Sequence, residues 1–285
     1  YYYENEPGNP TPDADHTAEL HDGKISVVIN TRNAEQFLPQ VLRSVADFDE
    51  VVVVDMDSSD NTLAIARQAG ASVYHFPTNG VFICEAARDF AIHKARNRYV
   101  LVVDADELVT PPLRQYLNRL VAEPNPPAGL WIPRRNRFIN RPLHHVGDEQ
   151  LRFFDQTRTH WPAHIHSHPQ VRGEVRHLPA TLHRRLLLDH LCPNYLSDVL
   201  EKHNRYSTNE VPKRARKRYG IASLLLRPPL FALKRYFLQG AWRDGTAGLL
   251  NALTYGNYQF CWIAKHIEHR LLNQQPPRPA KPERD

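Results

Sequence analysis

The chain has 285 residues, of which 41% are hydrophobic, and a formal net charge of +5. This length and apolar content suffice for one large α/β domain with appendages, which excludes a wholly disordered protein. The three cysteines, Cys84, Cys192 and Cys261, lie far apart and lack metal-ligand spacing. A disulfide scaffold and a structural zinc site are therefore not expected, and a reducing cytoplasm is the predicted compartment.

Both ends of the sequence are expected to lie outside the folded domains. Residues 1–23 are acidic and contain prolines, unlike a basic leader, so we expect a disordered tail or an expression remnant. Residues 273–285 are expected to form a disordered, proline-rich tail. Between them the pattern predicts an α/β domain over residues 24–195 and a basic, amphipathic helical extension over residues 196–272. The sequence contains no apolar run long enough to cross a bilayer.

Short β-branched runs alternate with helical patterns in the first half of the chain. The runs are nearly continuous in apolar residues, as expected for parallel strands covered on both faces. They occupy residues 24–30, 50–55, 72–76 and 99–104. The helical patterns occupy residues 34–47, 59–70 and 84–95. This βαβαβα order brings the carboxyl ends of the strands to one edge of the sheet, where ligands bind in open α/β folds.

The pattern changes after Pro112. A helix is predicted over residues 113–123, and strands of a mixed sheet extension are predicted over residues 130–138 and 149–155. They are followed by a histidine-rich loop, HWPAHIHSHP. A zinc site is not expected in this loop, because its histidines alternate and lack a helical His-x-x-x-His pair.

One predicted strand runs directly into three carboxylates, those of Asp104, Asp106 and Glu107. Carboxylates this close repel one another unless a cation lies among them. Asp-x-Asp at the end of a buried strand offers hard oxygen ligands to Mn²⁺ or Mg²⁺, and such an ion can bridge the phosphates of a nucleotide. The alternative is that Asp104 and Asp106 cap the following helix. Their place at the end of a strand favours the metal.

A second Asp-x-Asp, formed by Asp55 and Asp57, also follows an apolar strand. Haloacid-dehalogenase-type phosphatases present a nucleophilic Asp and an acid/base Asp in this way. Those enzymes usually begin with that strand, whereas here a complete βα unit precedes it. A phosphatase is therefore the alternative rather than the preferred interpretation.

The order of these motifs resembles the bacterial family 2 glycosyltransferases, which are inverting, nucleotide-sugar-dependent enzymes with a GT-A fold. The likeness covers nearly the whole chain from Lys24. The family's opening strand and helix match SVVINTRNAEQFLPQVLRSV, its nucleotide-binding unit matches EVVVVDMDSSDNTLAIARQAGA, and its metal-binding strand matches YVLVVDADELVTPPL. Further on, IPRRNRFINRPL, the LRFF after Asp148 and LSDVLEKHNRYS resemble the branch that contains the lipopolysaccharide-core glucosyltransferases.

The resemblance implies an α/β GT-A fold, with a Rossmann-like, mostly parallel nucleotide-binding sheet and a C-terminal helical extension. It also implies transfer of a sugar from a nucleotide donor to a hydroxyl of a glycan or glycolipid in cell-envelope polysaccharide synthesis. Thr31, Asn33, Asp55 and Asp57 are the expected donor-binding residues of the first two strand ends. UDP is favoured because Asp55 can accept the imide N–H of uracil.

The resemblance further assigns Arg88 to the donor diphosphate, Asp104 to the sugar and Asp106 to the metal, which is Mn²⁺ or Mg²⁺. His190 matches a histidine of the family and is the expected third metal ligand. Two alternatives remain open: Arg88 as a solvated helix cation, and His190 as a core histidine.

Direct displacement with inversion needs one carboxylate to accept the proton of the acceptor hydroxyl, and Asp148 matches the family's Asp before LRFF. The alternative for Asp148 is a turn residue at the end of a strand. The chain has Ser167 where relatives often have a Glu, so the resemblance supplies no carboxylate base at that position. His166 and His168 are instead expected to contact the acceptor.

The C-terminal part is helical and basic, with KRARKRY at 213–219 and apolar clusters around Pro228 and Pro229. We predict that residues 213–242 hold the protein on an anionic membrane surface, on the inner face of the cytoplasmic membrane. One alternative is that these helices pack on the catalytic domain or on a second subunit. Another is a non-catalytic protein that binds nucleic acid, but no module motif for that is present.

Overall fold

The computed structural model of the protein describes residues 20–78, 84–162, 168–213 and 219–273. Backbone contacts divide the chain into two compact units. The first unit contains the chain up to Arg135 and Asp148–Leu191, and the second contains Asn136–Gly147 and the chain from Cys192 onward. The domain boundaries predicted from the sequence stay a prediction.

A nine-stranded sheet forms the centre of the first unit, and a two-stranded sheet accompanies it among the described residues. The strands are β1 (His21–Thr31), β2 (Glu50–Asp55), β3 (Ser72–His75), β4 (Asn97–Asp104), β5 (Glu107–Val109), β6 (Gly129–Phe138), β7 (Arg141–Asp155), β8 (Thr159–His160), β9 (Gln170–Val171), β10 (Val175–His177) and β11 (Leu188–His190). The helices are α1 (Leu38–Val45), α2 (Thr62–Gln68), α3 (Cys84–Lys94), α4 (Pro111–Val121), α5 (Leu196–Lys213), α6 (Ile221–Leu233) and α7 (Gly245–Asn273).

The main sheet has the strand order β3-β2-β1-β4-β7-β6-β11-β5, with β10 paired to β6. The first four strands are parallel, β7 runs antiparallel to β4, and β11 runs parallel to β6 and antiparallel to β5. The pairing aligns the ends of three strands: Thr31 lies opposite Asp55, and Asn30 lies opposite Asp104. The polar residues that follow these strands therefore meet at one edge.

Valine-rich strands fill both faces of the sheet, as their continuous apolar sequence predicts. Val27 and Ile29 face one core cluster, in which helix α1 packs through Leu38 and Val41. Val28 faces the other core cluster, which contains residues of α3. The strand and helix pattern of the first half is thus confirmed.

One helix boundary differs from the sequence expectation. The first helix begins at Leu38 rather than at residue 34, because Ala34–Phe37 form a turn and Pro39 lies in the first helical turn, where proline is well tolerated. Helix α6, for which the sequence analysis predicts no boundary, continues through Pro228 and Pro229. Each of these prolines removes one backbone donor from the helix.

The second unit is built on α5, α6 and α7. Gly256 of α7 permits the close approach of α6, since a Cβ there would lie 2.8 Å from the Pro228 carbonyl oxygen. Tyr219, Trp262 and Ile263 form a buried cluster in this unit. Among the described residues, none of the helices is sufficiently long and apolar to cross a membrane.

Candidate functional site

A cavity of about 420 Å³ opens at the carboxyl edge of the sheet, and it lies within the first unit. Its size is in the range of pockets that bind small molecules and cofactors. The strand ends of β1 and β4, helix α3 and strand β11 all contribute to its wall. The lining residues are Asn30, Thr31, Arg32, Asn33, Ala34, Gln36, Phe37, Met56, Cys84, Arg88, Asp104, Ala105, Asp106 and His190. The structure thus brings together six of the eleven site residues predicted from the sequence.

The loops after β1 and β2 are joined by side-chain hydrogen bonds. Asn33 has a positive φ of 50°, and its Oδ1 accepts from the Ser59 N–H at 2.8 Å. The Asn33 N–H donates to Ser58 Oγ at 2.9 Å. Asparagine tolerates this left-handed backbone better than most residues do. The position of Asn33 at the cavity is therefore fixed by the neighbouring strand end.

Asp55 lies directly behind this pair of loops and is only 1% exposed. Its Oδ1 accepts from Thr31 Oγ1 at 3.1 Å, and its Oδ2 accepts from the Ser58 N–H at 3.0 Å. Thr31 lines the cavity, whereas Asp55 is not among the lining residues described. Both oxygens of the Asp55 carboxylate are thus held by hydrogen bonds from the two strand ends.

Asp57 points to the third strand rather than to the cavity. It has a positive φ of 58°, and it accepts from the Thr78 N–H at 2.9 Å, from Thr78 Oγ1 at 2.6 Å and from His75 Nε2 at 2.7 Å. The hydrogen bonds from Thr78 and His75 hold the pKa of Asp57 well below its usual range. Its assignment as a donor-binding residue stays a prediction.

Asp104 is shared between two arginines. Arg88 Nη2 donates to Asp104 Oδ1 at 2.6 Å, and Arg152 Nη2 donates to Asp104 Oδ2 at 2.6 Å. Burial alone would raise the pKa of Asp104, but the positive charges of Arg152 and Arg88 outweigh it and lower that pKa. Arg88 also lies over the ring of Trp161 at 5.2 Å, so it is not the freely solvated helix cation of the alternative interpretation.

Glu107 is the third carboxylate of the motif and is fully buried. Its Oε2 accepts from the Asp104 N–H at 3.1 Å, and its Oε1 accepts from Arg134 Nη1 at 3.2 Å. Burial, and then the negative charge of Asp104, raise the pKa of Glu107. Arginines of β6 and β7 therefore compensate part of the repulsion among the three carboxylates. Sequence analysis did not single out these arginines.

Asp106 and His190 meet at the wall of the cavity. His190 Nε2 lies 3.0 Å from Asp106 Oδ2, and the Leu191 N–H donates to the Asp106 carbonyl at 2.7 Å. The antiparallel pairing of β11 with β5 places His190 opposite Glu107. The carboxylate oxygen suits Mn²⁺ or Mg²⁺, and of these two ions Mn²⁺ accepts the imidazole nitrogen more readily. The residues present thus fit a divalent metal.

The alternative role of Asp104 and Asp106 as helix caps does not agree with the structure. Strand β5 intervenes between them and the next helix, α4, which begins at Pro111 after Thr110. Neither aspartate is at a position from which it can cap that helix.

Asp148 lies within β7 rather than in a turn at a strand end. Arg134 contacts both of its carboxylate oxygens, with Nε at 3.1 Å and Nη2 at 2.8 Å, and Gln150 Nε2 donates to it at 2.7 Å. The Asp148 side chain is 40% exposed. It is not among the described lining residues of the cavity, but Arg134 links it to Glu107. Its role as a base stays a prediction.

Of the two histidines expected at the acceptor side, the structure describes one. His166 lies outside the described residues, and His168 is exposed. Both assignments stay predictions. Arg134 and Arg152 are the site residues that sequence reasoning missed. A signal was present for Arg152, which is the one cation among the apolar residues of LRFF, whereas Arg134 is one of three arginines in LWIPRRNRF and does not stand out.

Comparison with known protein families identifies the chain. The model of the family described as "Glycosyl transferase family 2" matches residues 26–170, which is about half of the protein. The chain belongs to glycosyl transferase family 2. It is therefore a glycosyltransferase, which confirms the family and the enzyme class expected from the sequence.

Individual relatives extend this likeness over most of the chain. The lipopolysaccharide core biosynthesis glycosyltransferase LpsC of Rhizobium meliloti is 26% identical over 264 residues, which cover 88% of this chain and 95% of that protein. An uncharacterized glycosyltransferase of Rickettsia prowazekii is 23% identical over 268 residues, which cover 88% of this chain and 89% of that protein.

A solved structure supports the fold. The mannosyltransferase PcManGT of Pyrobaculum calidifontis, in complex with GDP-Man and Mn²⁺, has a TM-score of 0.53 at 14% identity and covers 90% of this chain and 92% of its own. The mostly parallel sheet with flanking helices is the GT-A fold, and a long C-terminal helix follows it. The predicted fold class is thus confirmed.

Proposed function

We propose that this family 2 enzyme transfers a sugar, with inversion, from a UDP-sugar to a hydroxyl group of a glycan or glycolipid in cell-envelope polysaccharide synthesis. The observation that carries the proposal is the convergence of Arg88, Asp104, Asp106 and His190 on one cavity at the carboxyl edge of the sheet. Such a wall combines a cation for a diphosphate with a donor set for a divalent ion. The likeness to LpsC supports a lipopolysaccharide-core acceptor.

The loops after β1 and β2 would bind the nucleobase and the ribose of the donor. Thr31 and Asn33 line the cavity there, and Asp55 is hydrogen-bonded to Thr31 immediately behind them. Each oxygen of the Asp55 carboxylate has a further lone pair, so this group can still accept the imide N–H of uracil. This supports UDP as the nucleotide.

Asp106 and His190 would hold Mn²⁺ or Mg²⁺. When bound, the ion would supply positive charge to the donor diphosphate and stabilise the departing UDP. Arg88 is placed to add a second positive charge at the same group, because it lines the cavity and its side chain is only 16% exposed. A cation in a site with little water stabilises the developing negative charge more strongly than it would in water.

We propose Asp148 as the base of a single displacement. The acceptor hydroxyl would give its proton to a carboxylate oxygen of Asp148 while its oxygen bonds to the anomeric carbon. The bond from that carbon to the diphosphate breaks at the same time, and the electron pair leaves with UDP. Arg134 orients Asp148 through two hydrogen bonds and would retain the carboxylate in place. His168 and His166 would contact the acceptor.

The second unit is proposed to hold the enzyme at the inner face of the cytoplasmic membrane, where a lipid-linked acceptor is found. Apolar side chains of α6 and the following turn point to solvent and are 51% to 81% exposed. They are Ile221, Leu225, Leu226, Leu230, Leu233, Phe237 and Leu238. No acidic residue occurs between Lys213 and Arg243, so cations alone accompany this apolar surface. Such a surface fits an anionic lipid bilayer. A second subunit is the competing partner.

The test of the proposed function is a screen of nucleotide sugars for UDP release in the presence of Mn²⁺. We expect release from one or a few UDP-sugars, and loss of that release on addition of EDTA. Asp106→Ala should remove the activity, whereas Asp22→Ala, an exposed aspartate at the start of β1, should retain it. Release from a GDP-sugar or a CMP-sugar would contradict the assignment of the donor base.

A further inference from the structure

Only one of the two arginines that hold Asp104 reaches the cavity. Arg88 and Asp104 are both lining residues, whereas Arg152 is not among the lining residues described. The Arg152 side chain is 5% exposed, and its Nη2 donates to Asp104 at 2.6 Å. A ligand in the cavity can therefore contact Arg88 directly, while Arg152 acts from behind Asp104.

Arg152 depends on Asp104 for most of its stabilisation. Within the described part of the chain, Arg152 Nε and Nη1 are buried without a hydrogen-bond partner, and the nearest further carboxylate is that of Glu107 at 3.9 Å. Loss of the carboxylate that pairs with a buried cation strongly destabilises the folded protein. The pair of Arg152 and Asp104 is therefore expected to stay together when the cavity fills.

Arg88, unlike Arg152, can exchange Asp104 for a ligand in the cavity as its hydrogen-bond acceptor. It donates to Asp104 Oδ1 at 2.6 Å, and its Nε is buried without a hydrogen-bond partner within the described residues. A diphosphate in the cavity offers several charged oxygens to this guanidinium, and arginine pairs well with phosphate. Arg88 can turn from Asp104 to a diphosphate only if the carboxylate that it leaves is still compensated.

We propose that Arg152 is a positioning residue that keeps Asp104 paired, and thereby allows Arg88 to bind the donor diphosphate. The inference rests on the proposed function, which places the diphosphate at Arg88. Without Arg152, Arg88 would be held by Asp104, because its departure would leave that carboxylate, which is 27% exposed, without a hydrogen-bonded cation. Arg152 thus acts on donor affinity through Asp104 without touching the donor.

Calorimetry with UDP as the probe, in the presence of Mn²⁺, tests this inference in the full chain. We expect Arg152→Met to weaken UDP binding about tenfold. Arg152→Lys, which keeps a cation beside Asp104, should restore most of the affinity. The matched control is Arg98→Met, because Arg98 pairs with the buried Asp155 at 2.9 Å and is not among the described cavity residues. It should lower the melting temperature and leave UDP affinity unchanged.

A double-mutant cycle separates positioning from general damage to the fold. In an Asp104→Asn background there is no charge to compensate, so Arg152→Met should change UDP affinity by no more than about twofold. A loss of about tenfold that persists in that background would overturn the inference, and so would unchanged affinity in Arg152→Met alone. Absence of UDP binding by the unmodified protein would overturn the proposed function and the inference together. If Arg152→Met fails to fold, the same cycle is run with Arg152→Gln.

Discussion

His190 Nε2 lies 3.0 Å from Asp106 Oδ2, although 84 residues of sequence separate them. The pairing of β11 with β5 brings the histidine to the end of the Asp-x-Asp motif. The alternative view of His190 as a core histidine does not account for its place in the wall of the cavity. This relationship is the basis of the first prediction.

Replacement of His190 by alanine should raise the Mn²⁺ concentration needed for half-maximal UDP binding by about tenfold or more. Even residues that only hydrogen-bond to a metal ligand change metal affinity by about this factor when they are replaced. The measurement is a titration of Mn²⁺ at fixed UDP. His183→Ala is the matched control, since His183 pairs with Glu149 and is not among the described cavity residues. An unchanged Mn²⁺ requirement in His190→Ala would exclude His190 as a ligand.

Replacement of Asp148 by asparagine should lower turnover by roughly a hundredfold or more, because a general base typically contributes that much. The affinity for the donor should stay nearly the same, since Asp148 is not a described cavity residue. Steady-state rates of UDP release with acceptor provide the measurement.

The neighbouring Glu149 supplies the control for Asp148. Its carboxylate pairs with His177 at 2.8 Å and with His183 at 3.1 Å. Glu149→Gln should retain turnover if Asp148 is the base. Near-normal turnover in Asp148→Asn together with a large loss in Glu149→Gln would move the role to Glu149. Asp155 is a poor alternative because it is 1% exposed and bonded to Arg98 and Thr157.

Cys84 lines the cavity and provides a pH-dependent probe of it. Burial raises the pKa of the Cys84 thiol, although the nearby charge of Arg88 opposes this shift. The thiolate is the reactive form, so alkylation by iodoacetamide at pH 8 should be slower than in the urea-unfolded chain and should accelerate as the pH rises. UDP with Mn²⁺ should slow it further. Equal rates at Cys84 with and without UDP, measured by peptide mass spectrometry, would place the nucleotide elsewhere.

The basic and apolar surface of the second unit should bind anionic vesicles at low salt. Each Lys or Arg near such a surface contributes about 1 kcal/mol, and salt screens this attraction. Replacement of the five cations Lys213, Arg214, Arg216, Lys217 and Arg218 by glutamine should reduce flotation with the vesicles, as should Leu225→Ser combined with Leu226→Ser. Four of these cations, Arg214, Arg216, Lys217 and Arg218, lie outside the described part of the chain.

Neutral vesicles and DNA are the controls for this prediction. Binding to DNA but not to anionic vesicles would support the nucleic-acid alternative. A protein that stays in the soluble fraction with anionic vesicles, and that dimerises through the same leucines, would identify a second subunit as the partner of α6.

The strand ends of the first unit were predictable because two local rules act together there. Continuous valine runs mark strands buried on both faces, and the polar residues that follow them must collect at the carboxyl edge of a parallel sheet. Thr31, Asn33, Asp104 and Asp106 follow from these rules, and all four line the cavity.

The arginines around these carboxylates were not predictable in the same way. Arg152 reaches Asp104 because β7 pairs antiparallel with β4, in a register that sets Val100 opposite Phe154. Arg134 reaches Glu107 across a sequence separation of 27 residues, from a strand that pairs elsewhere in the sheet. Sequence periodicity indicates which residues form a strand, but it does not specify the strand order or the register that decides these contacts.

The metal-assisted nucleotide site is tested most directly by calorimetric titration of UDP into the unmodified protein and into Asp106→Ala, each with and without Mn²⁺. We expect tight, Mn²⁺-dependent binding to the unmodified protein and loss of that dependence in Asp106→Ala, with an unchanged melting temperature for the metal-free protein. Equal UDP affinity in all four titrations would contradict the assignment of a metal-assisted nucleotide site to this edge of the sheet.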